Sequence, residues 1–419
     1  MEVIVTNSHK IALFFLISVL YLSSCNDNST NPTNTNNSID TAFTNITWAT
    51  NTIQFEAKDV LETDSTFTYF LFDVNNVNAK KLKEGSFIYV YGKALKKVYS
   101  VESDNRYILI NTDPCLFTDA VKDADISWNR PINFDKAIKS YFYNGKKHDI
   151  PQGDEFEMSA PIGNDMKMKI TIKTEKDRMD ASCDIIKEIG KVGEVKYGFE
   201  GFVQNMVSTG KIKITDGKLK EFSQKNQNIE GEVTVQLVAT GSLNQMLGPI
   251  ELPFVLMKIP IVVGGIPMFL NLKILFVINT TTASIDASAY IKSKFTFNSE
   301  TGIKYDGTTY AAEASAGPYK YDFIKDSNWV ASSVVAGLNF GLTFPRFELE
   351  MFGEIIVPYV QTAFLIGGSF TTGTKPCMKI DCSYIGAIGV DLSFLGLKAS
   401  YKKNLWQWDQ NIRKSGQCD

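Results

Sequence analysis

Two glutamates, Glu348 and Glu350, have the residue type and spacing that come nearest to a catalytic pair. In an extended strand, side chains two residues apart point to the same face. Their carboxylates would then lie within the separation of roughly 5 to 9 Å that glycoside hydrolysis uses. Arg346 precedes them at the same spacing, so a solvated strand face of mixed charge is the better interpretation of the three side chains.

Other catalytic chemistry has few candidates in this sequence. There are two histidines, and His148 lies in a charged run, Lys146-Lys147-His148-Asp149, that is typical of an exposed loop. No nucleophile-elbow motif accompanies it. Three nearby aspartates lack the glycine and the terminal glutamate of a calcium loop: Asp119, Asp123 and Asp125. We therefore expect no catalytic residue, no metal and no cofactor, and a protein that is not an enzyme.

Cysteines are the next reactive group. Five follow Cys25, namely Cys115, Cys183, Cys377, Cys382 and Cys418. An oxidising compartment permits disulfides, and an odd number of cysteines leaves at least one outside an intramolecular pair. Cys377 and Cys382 are candidates for a disulfide that closes a hairpin, with Cys418 as an alternative partner for either. A metal site is disfavoured, because no second close cysteine pair or histidine cluster is present.

Two tryptophans near the C-terminus, Trp406 and Trp408, would share one face of a terminal strand. Aromatic rings in such a position could stack on a sugar ring or on a partner protein. The interpretation that we favour is that they cover the hydrophobic core near the end of the chain.

The strands that would position these residues are organised around the apolar segment 252–278. A membrane-spanning helix needs about 20 apolar residues, but this segment contains three prolines and two lysines. From Leu270 onwards the even-numbered positions are apolar, whereas Asn271 and Lys273 take odd positions, which is the period of a half-buried strand. The segment therefore predicts two core strands joined at Gly264-Gly265.

Turn residues divide the rest of the chain into further strands. Asp216-Gly217 stands between two alternating runs and predicts a hairpin. Pro345 interrupts another alternating run and resets its phase, which predicts a bend or a switch between sheets. Short helices are expected near Thr118 and at 184–190.

The recurring alternation predicts an all-β protein. We expect large antiparallel sheets, as a sandwich or a curved sheet, with a small N-terminal β module and at most one or two short helices. The expected division is a small β domain at 45–130 and a large β-sheet domain at 131–419. Long alternating strands are also typical of transmembrane barrels, but lysines on several outward faces oppose that alternative because they are costly against lipid.

The N-terminus has the layout of an exported protein. A polar start with Lys10 precedes an apolar run at 11–22 and two small residues, so residues 1–24 are predicted to be a signal peptide. The end of this segment, Leu22-Ser23-Ser24-Cys25, resembles the lipobox of bacterial lipoprotein precursors. The resemblance implies that Cys25 is the lipid-attachment residue, which anchors the mature protein to a membrane through acyl chains.

The residues after the lipobox extend this resemblance. Asn26 stands where some lipoproteins carry the aspartate of an inner-membrane retention signal, so the outer membrane is favoured. The polar residues that follow complete a flexible linker at 25–44. Further along, Leu82-x-x-Gly85 and Lys97-Val98-x-Ser100-Val101 resemble a pattern of uncharacterised β-rich secreted bacterial proteins, which implies no activity.

The balance of basic and acidic side chains bears on which partners are expected. The chain carries 43 basic and 46 acidic side chains, so nucleic acid is not an expected partner. The predicted function is a non-enzymatic, membrane-anchored binding or structural module of the bacterial outer membrane, with a glycan, a protein or an apolar ligand as candidate partners. The alternative is a carrier that holds an apolar ligand or lipid in a curved β-sheet groove.

Overall fold

The structure of the protein is a computed structural model. It describes residues 40–143, 146–151, 153, 155–161, 166–189, 193–240, 254–285, 290–316, 320–323, 335–371, 377–398 and 400–417. The predicted signal peptide, the lipobox with Cys25 and most of the predicted linker lie outside these residues. Among the described residues, no helix is long and apolar enough to cross a membrane.

Most of the described chain is strand, as the alternation of apolar and polar residues predicts. The strands in chain order are β1 (Thr41–Trp48), β2 (Thr52–Phe55), β3 (Glu62–Thr63), β4 (Tyr69–Asp73), β5 (Phe87–Val90), β6 (Ala94–Ser103), β7 (Tyr107–Asp113), β8 (Val121–Pro131), β9 (Ile138–Tyr143), β10 (Lys146–Asp149), β11 (Glu155–Pro161), β12 (Met166–Thr174), β13 (Arg178–Ile189), β14 (Gly193–Gln204), β15 (Val207–Thr215), β16 (Lys218–Thr240), β17 (Phe254–Val263), β18 (Ile266–Ile285), β19 (Tyr290–Tyr305), β20 (Tyr310–Ala316), β21 (Lys320–Phe323), β22 (Val335–Met351), β23 (Glu354–Thr371), β24 (Cys377–Asp391) and β25 (Ser400–Gly416). A short helix, α1 (Phe117–Ala120), and 3-10 turns at Ala57–Asp59, Ala79–Lys81, Phe134–Lys136 and Ser393–Leu395 lie between them. The predicted all-β class with few short helices is confirmed.

The strands form three sheets. The eleven-stranded sheet has the order β1-β8-β15-β16-β14-β13-β12-β11, with β19 paired to β16 and both β20 and β21 paired to β19. The eight-stranded sheet has the order β10-β9-β17-β18-β22-β23-β24-β25, and the six-stranded sheet the order β2-β5-β6-β7-β4-β3. The described pairs are antiparallel apart from β2 and β5, which are parallel.

The eleven-stranded and eight-stranded sheets pack face to face as a β-sandwich with a continuous apolar core. Aromatic rings from the two sheets meet across this core. The ring centroids of Tyr197 and Phe340 are 6.0 Å apart, and those of Phe295 and Phe364 are 5.0 Å apart. Of the two sheet arrangements expected from the sequence, the structure therefore shows the sandwich.

The apolar segment at the centre of the sequence forms the hairpin of β17 and β18. The hairpin turns at Gly264-Gly265, where the φ angles of 53° and 83° suit glycine. Leu270, Leu272 and Ile274 are buried, as the even-numbered positions predict. The odd-numbered Asn271 is also buried, at 2% exposure, so the predicted half-buried pattern is wrong at this position.

The hairpin prediction is confirmed, and the switch of sheets that was one expectation at Pro345 is wrong, because β22 stays in the eight-stranded sheet on both sides of it. Asp216 and Gly217 form the two-residue turn between β15 and β16. The pairing register of β22 shifts around Pro345. The apolar positions after this shift are buried: Phe347, Leu349 and Met351.

The two helix predictions have different outcomes. A helical turn does form near Thr118, although Thr118 lies inside it and Leu116 is the N-cap. The predicted helix at 184–190 is wrong, because residues up to Ile189 belong to β13. Since β13 lies between β12 and β14, hydrogen bonds to two neighbouring strands outweigh local helix propensity there.

The six-stranded sheet has an apolar core of its own, which includes Phe70 and Phe72. Its strands occupy 52–113, whereas β1 and β8, which flank it in sequence, pair with each other in the eleven-stranded sheet. The described residues form one compact unit. The sheets therefore divide at the ends of 52–113, and not at the boundary between 130 and 131 that the sequence suggested.

Candidate functional site: a charged cluster on the eight-stranded sheet

A cluster of charged and amide side chains lies on the eight-stranded sheet, on the face that points away from the sandwich core. These residues alternate along β18 and β22 with core residues such as Leu272 and Phe347, so their side chains leave the opposite face. We call this set the charged cluster. Its members are Lys258 on β17, Asn271 and Lys273 on β18, and Arg346, Glu348 and Glu350 on β22.

Glu350 is held by an amine and an amide at the same time. Nζ of Lys258 lies 2.8 Å from its Oε1 atom, and Nδ2 of Asn271 donates a hydrogen bond of 2.8 Å to its Oε2 atom. Lys258 and Asn271 stand directly opposite each other in the pairing of β17 with β18. The register of the hairpin therefore brings the amine and the amide to one carboxylate.

Glu348 is held by two cations. Nζ of Lys273 lies 2.8 Å from its Oε2 atom, and a guanidinium nitrogen of Arg346 lies 3.2 Å from its Oε1 atom. Arg346 also donates a hydrogen bond of 3.4 Å to Gln361, and its guanidinium lies 5.0 Å from the ring centroid of Tyr359. The neighbouring strands thus fix the orientation of this ion pair on both sides.

The two carboxylates are far more buried than the cations that neutralise them. The side chains of Glu348 and Glu350 are 3% and 7% exposed, whereas that of Lys258 is 34% exposed. Long cationic side chains cover the short carboxylates and keep their head groups in water. The predicted solvated strand face is therefore wrong for both glutamates, because neighbouring strands contribute lysines that the spacing within β22 does not reveal.

This geometry does not favour paired-carboxylate hydrolysis. In that reaction, one carboxyl group must act as a protonated acid and both must face the substrate. Here Glu348 and Glu350 instead point into ion pairs and hydrogen bonds with their neighbours. The chemically distinctive feature of the charged cluster is the meeting of amine, amide and carboxylate at Glu350.

The sequence contains a signal for part of the charged cluster, and this signal lies in a turn and not in a catalytic motif. A two-residue turn pairs residues at equal distances on its two sides, so a turn at Gly264-Gly265 places Lys258 opposite Asn271. The pairing of Asn271 with Glu348 has no comparable signal, because β18 and β22 are far apart in the chain.

The predicted disulfide between Cys377 and Cys382 is wrong. Both lie on β24, and five positions along a strand separate Cα atoms by about 16 Å, whereas a disulfide requires less than about 7 Å. Cys382 carries a thiol, as do Cys115 and Cys183. Burial raises the pKa of the Cys115 thiol to about 12, so it is not a reactive thiolate at neutral pH. The alternative partner, Cys418, lies outside the described residues.

The two tryptophans of β25 have different surroundings. Trp406 packs against the core, with its ring centroid 5.7 Å from that of Tyr384 and its ring over Gly386. Trp408 is 53% exposed and lies on the last strand of the eight-stranded sheet. Trp406 therefore covers the core, as expected, whereas Trp408 presents its ring to the solvent.

The remaining candidates lie outside the charged cluster. His148 is exposed on β10 and stacks on Tyr141, with ring centroids 4.6 Å apart. Asp123 accepts a hydrogen bond from the backbone N–H of Asp216, and Asp119 lies in the first turn of α1. Within the part of the chain that the structure describes, no group of three or more histidine, cysteine or acidic side chains could hold a metal ion.

A small apolar cavity between the two sheets bears on the carrier alternative. It is lined by residues that include Cys183, Tyr197 and Phe340. Its volume is about 20 Å³, which is enough for about one water molecule. Pockets for small ligands measure about 300 to 1,000 Å³, so this cavity is too small for a lipid.

No protein-family model, curated protein or solved structure matches the chain. Its function therefore has to be argued from its own residues and geometry.

Proposed function

We propose that the protein is a non-enzymatic lipoprotein of the bacterial outer membrane that presents its β-sandwich as a binding or structural module. The lipid anchor is argued from the lipobox, with Cys25 as the attachment residue. The observation that carries the surface role is the packed core between the two large sheets. Because the apolar faces of these sheets fill each other, partners meet the outside of the sandwich.

Trp408 is the best candidate contact on that outside. It is 53% exposed on the last strand of the eight-stranded sheet. An exposed aromatic ring suits a sugar, since the ring can cover the apolar face of the sugar. We therefore favour a glycan of the cell envelope as the partner.

Calorimetric titration of the purified protein with envelope polysaccharide tests the glycan contact. Trp408→Ala should weaken binding about tenfold or more, which corresponds to about 1.4 kcal/mol. Tyr99→Ala is the control, because Tyr99 is also exposed, at 64%, but lies on β6 of the six-stranded sheet. Equal affinity of the two variants would contradict the assigned contact. Stoichiometric binding of a hydrophobic fluorescent probe would favour the carrier instead.

Membrane fractionation tests the anchor separately. Cys25→Ala should release the protein from the membrane fraction or leave an unprocessed precursor, because the acyl chains have lost their attachment site. Ser24→Ala is the control, since it keeps a small residue before the cysteine. Unchanged fractionation of Cys25→Ala, together with no labelling of the wild type by a palmitate analogue, would overturn the anchor.

A further inference from the structure

Lys258, Asn271 and Glu350 together supply the three groups that an amide-transfer reaction needs. Lysine provides a nucleophilic amine, asparagine an acyl carbon with a leaving nitrogen, and glutamate a carboxylate that moves protons. We propose that Lys258 and Asn271 become joined by an isopeptide bond, which the folded chain forms on itself with release of ammonia. The inference is independent of the lipid anchor and of the glycan contact.

The geometry places the reacting groups together before any bond forms. Lys258 and Asn271 are directly opposed on β17 and β18, and cross-strand neighbours have Cβ atoms about 5 Å apart. Both hydrogen-bond to Glu350 at 2.8 Å, one to each carboxylate oxygen. Such positioning makes the step effectively unimolecular, which removes much of the entropic cost of bringing two reactants together.

The reaction balances with these three residues alone. The Glu350 carboxylate takes a proton from the Lys258 ammonium, and the freed lone pair on Nζ attacks Cγ of Asn271. Glu350 then returns this proton to Nδ2, the tetrahedral intermediate collapses, the Cγ–Nδ2 bond breaks and ammonia leaves. Nζ loses its second proton, through the Glu350 carboxylate, to the departing ammonia, which is released as ammonium. One C–N bond forms and one breaks, no oxidant is required, and Glu350 is regenerated.

The surroundings of the three groups favour this step. Asn271 is 2% exposed, so water has little access to compete for its acyl carbon. The ring of Phe269 lies opposite Glu350 in the pairing of β18 with β22, and its centroid is 5.3 Å from Nζ of Lys258.

The charged cluster contains its own control site. Lys273 contacts Glu348 at the same 2.8 Å, but Glu348 also pairs with the guanidinium of Arg346, which offers no acyl carbon. The Lys258–Glu350 and Lys273–Glu348 sites therefore share a lysine–glutamate pair, and only the Glu350 carboxylate also binds the amide of Asn271. A cross-link is expected at Lys258 and not at Lys273.

Mass spectrometry of the denatured, purified full chain tests the inference. The wild-type protein should be lighter than its sequence mass, after allowance for the anchor, by the mass of one ammonia. Proteolytic mapping should recover the peptides that contain Lys258 and Asn271 as one linked species. Lys258→Arg, which keeps a cation beside Glu350, and Glu350→Gln, which keeps a hydrogen-bonding amide, should both abolish the link.

Lys273→Arg is the matched control and should retain the link. Circular dichroism of each variant establishes that the sandwich has folded before its mass is compared. A folded wild-type chain with separate Lys258 and Asn271 peptides would overturn the inference, as would a link that persists in Lys258→Arg. Conversion of Asn271 to aspartate without a cross-link would also overturn it, because water rather than Nζ would then have attacked Cγ.

Discussion

Two buried polar regions of the sandwich differ in how their polar groups are paired after they lose contact with water. The charged cluster lies on the outer face of the eight-stranded sheet, and its two carboxylates are paired with cations. The second region, which we call the neutral patch, lies on the core-facing side of the eleven-stranded sheet. It consists of Gln224 and Asn226 on β16 and Ser299 and Thr301 on β19, all of which are at most 1% exposed.

The neutral patch is less completely hydrogen-bonded than the charged cluster. Gln224 donates a hydrogen bond of 2.8 Å to Asn226. Four of its atoms have no partner among the described residues: Oε1 of Gln224, Nδ2 of Asn226, Oγ of Ser299 and Oγ1 of Thr301. An unpaired neutral group costs about 1 to 3 kcal/mol, whereas an unpaired buried charge costs several kcal/mol. The sandwich therefore contains unpaired neutral groups in the neutral patch, whereas the buried carboxylates of the charged cluster are paired with cations.

The largest effect is expected on the core-facing side of β18. Ile274 is 2% exposed, so Ile274→Asp places an unpaired charge in the apolar core and should cost more than about 4 kcal/mol. We expect the variant not to fold, as measured by circular dichroism and urea denaturation. A folded variant within about 1 kcal/mol of the wild type would show that this side of β18 is not part of the core.

A smaller but still large effect is expected on the other side of the same strand. The alternation in the sequence placed Lys273 on the polar face of a half-buried strand, but Lys273 pairs with the buried Glu348. The Lys273→Asp variant places two carboxylates together, so its free energy of unfolding, measured by urea denaturation, should fall by about 3 kcal/mol. This is the lower end of the range for breaking a buried ion pair, because the Lys273 side chain is partly exposed.

Removing the charges of both Lys273 and Glu348 tests whether the ion pair itself stabilises the sheet or only prevents an unpaired buried carboxylate. Lys273→Met combined with Glu348→Leu leaves no unpaired carboxylate, and apolar replacement of a buried pair is often neutral. The double variant should therefore recover most of the stability that Lys273→Asp loses. A double variant as unstable as Lys273→Asp would mean that the ion pair itself, and not the avoidance of an unpaired charge, stabilises the sheet.

The smallest effects compare two buried threonines. Oγ1 of Thr301 has no partner among the described residues, so Thr301→Val should raise the free energy of unfolding by about 1 kcal/mol. Thr362 donates a hydrogen bond of 2.6 Å to the carbonyl oxygen of Phe344, so Thr362→Val should lower it by about 1 kcal/mol. Destabilisation by Thr301→Val of the same size would show that the neutral patch is fully hydrogen-bonded.

Sequence alone determined which segments are strands and where many of them turn. The reason is local: alternation with period two buries one face of a strand, and residue pairs such as Asp216-Gly217 adopt the φ angles that a tight turn needs. Within the hairpin of β17 and β18, the turn also sets the register that opposes Lys258 and Asn271. The buried positions Leu270, Leu272 and Ile274 follow from the same local rules.

Tertiary structure decided what lies on the second face of each strand. Alternation distinguishes the two faces of a strand but not what neighbouring strands place beside them, so Glu348 and Asn271 were predicted to be solvated and are buried. The predictions of a helix at 184–190 and of a Cys377–Cys382 disulfide are wrong for the same reason. Pairing with neighbouring strands keeps both segments extended, as parts of β13 and β24. Contacts between β18 and β22 join residues far apart in the chain, and no local pattern specifies which distant strand supplies the matching charge.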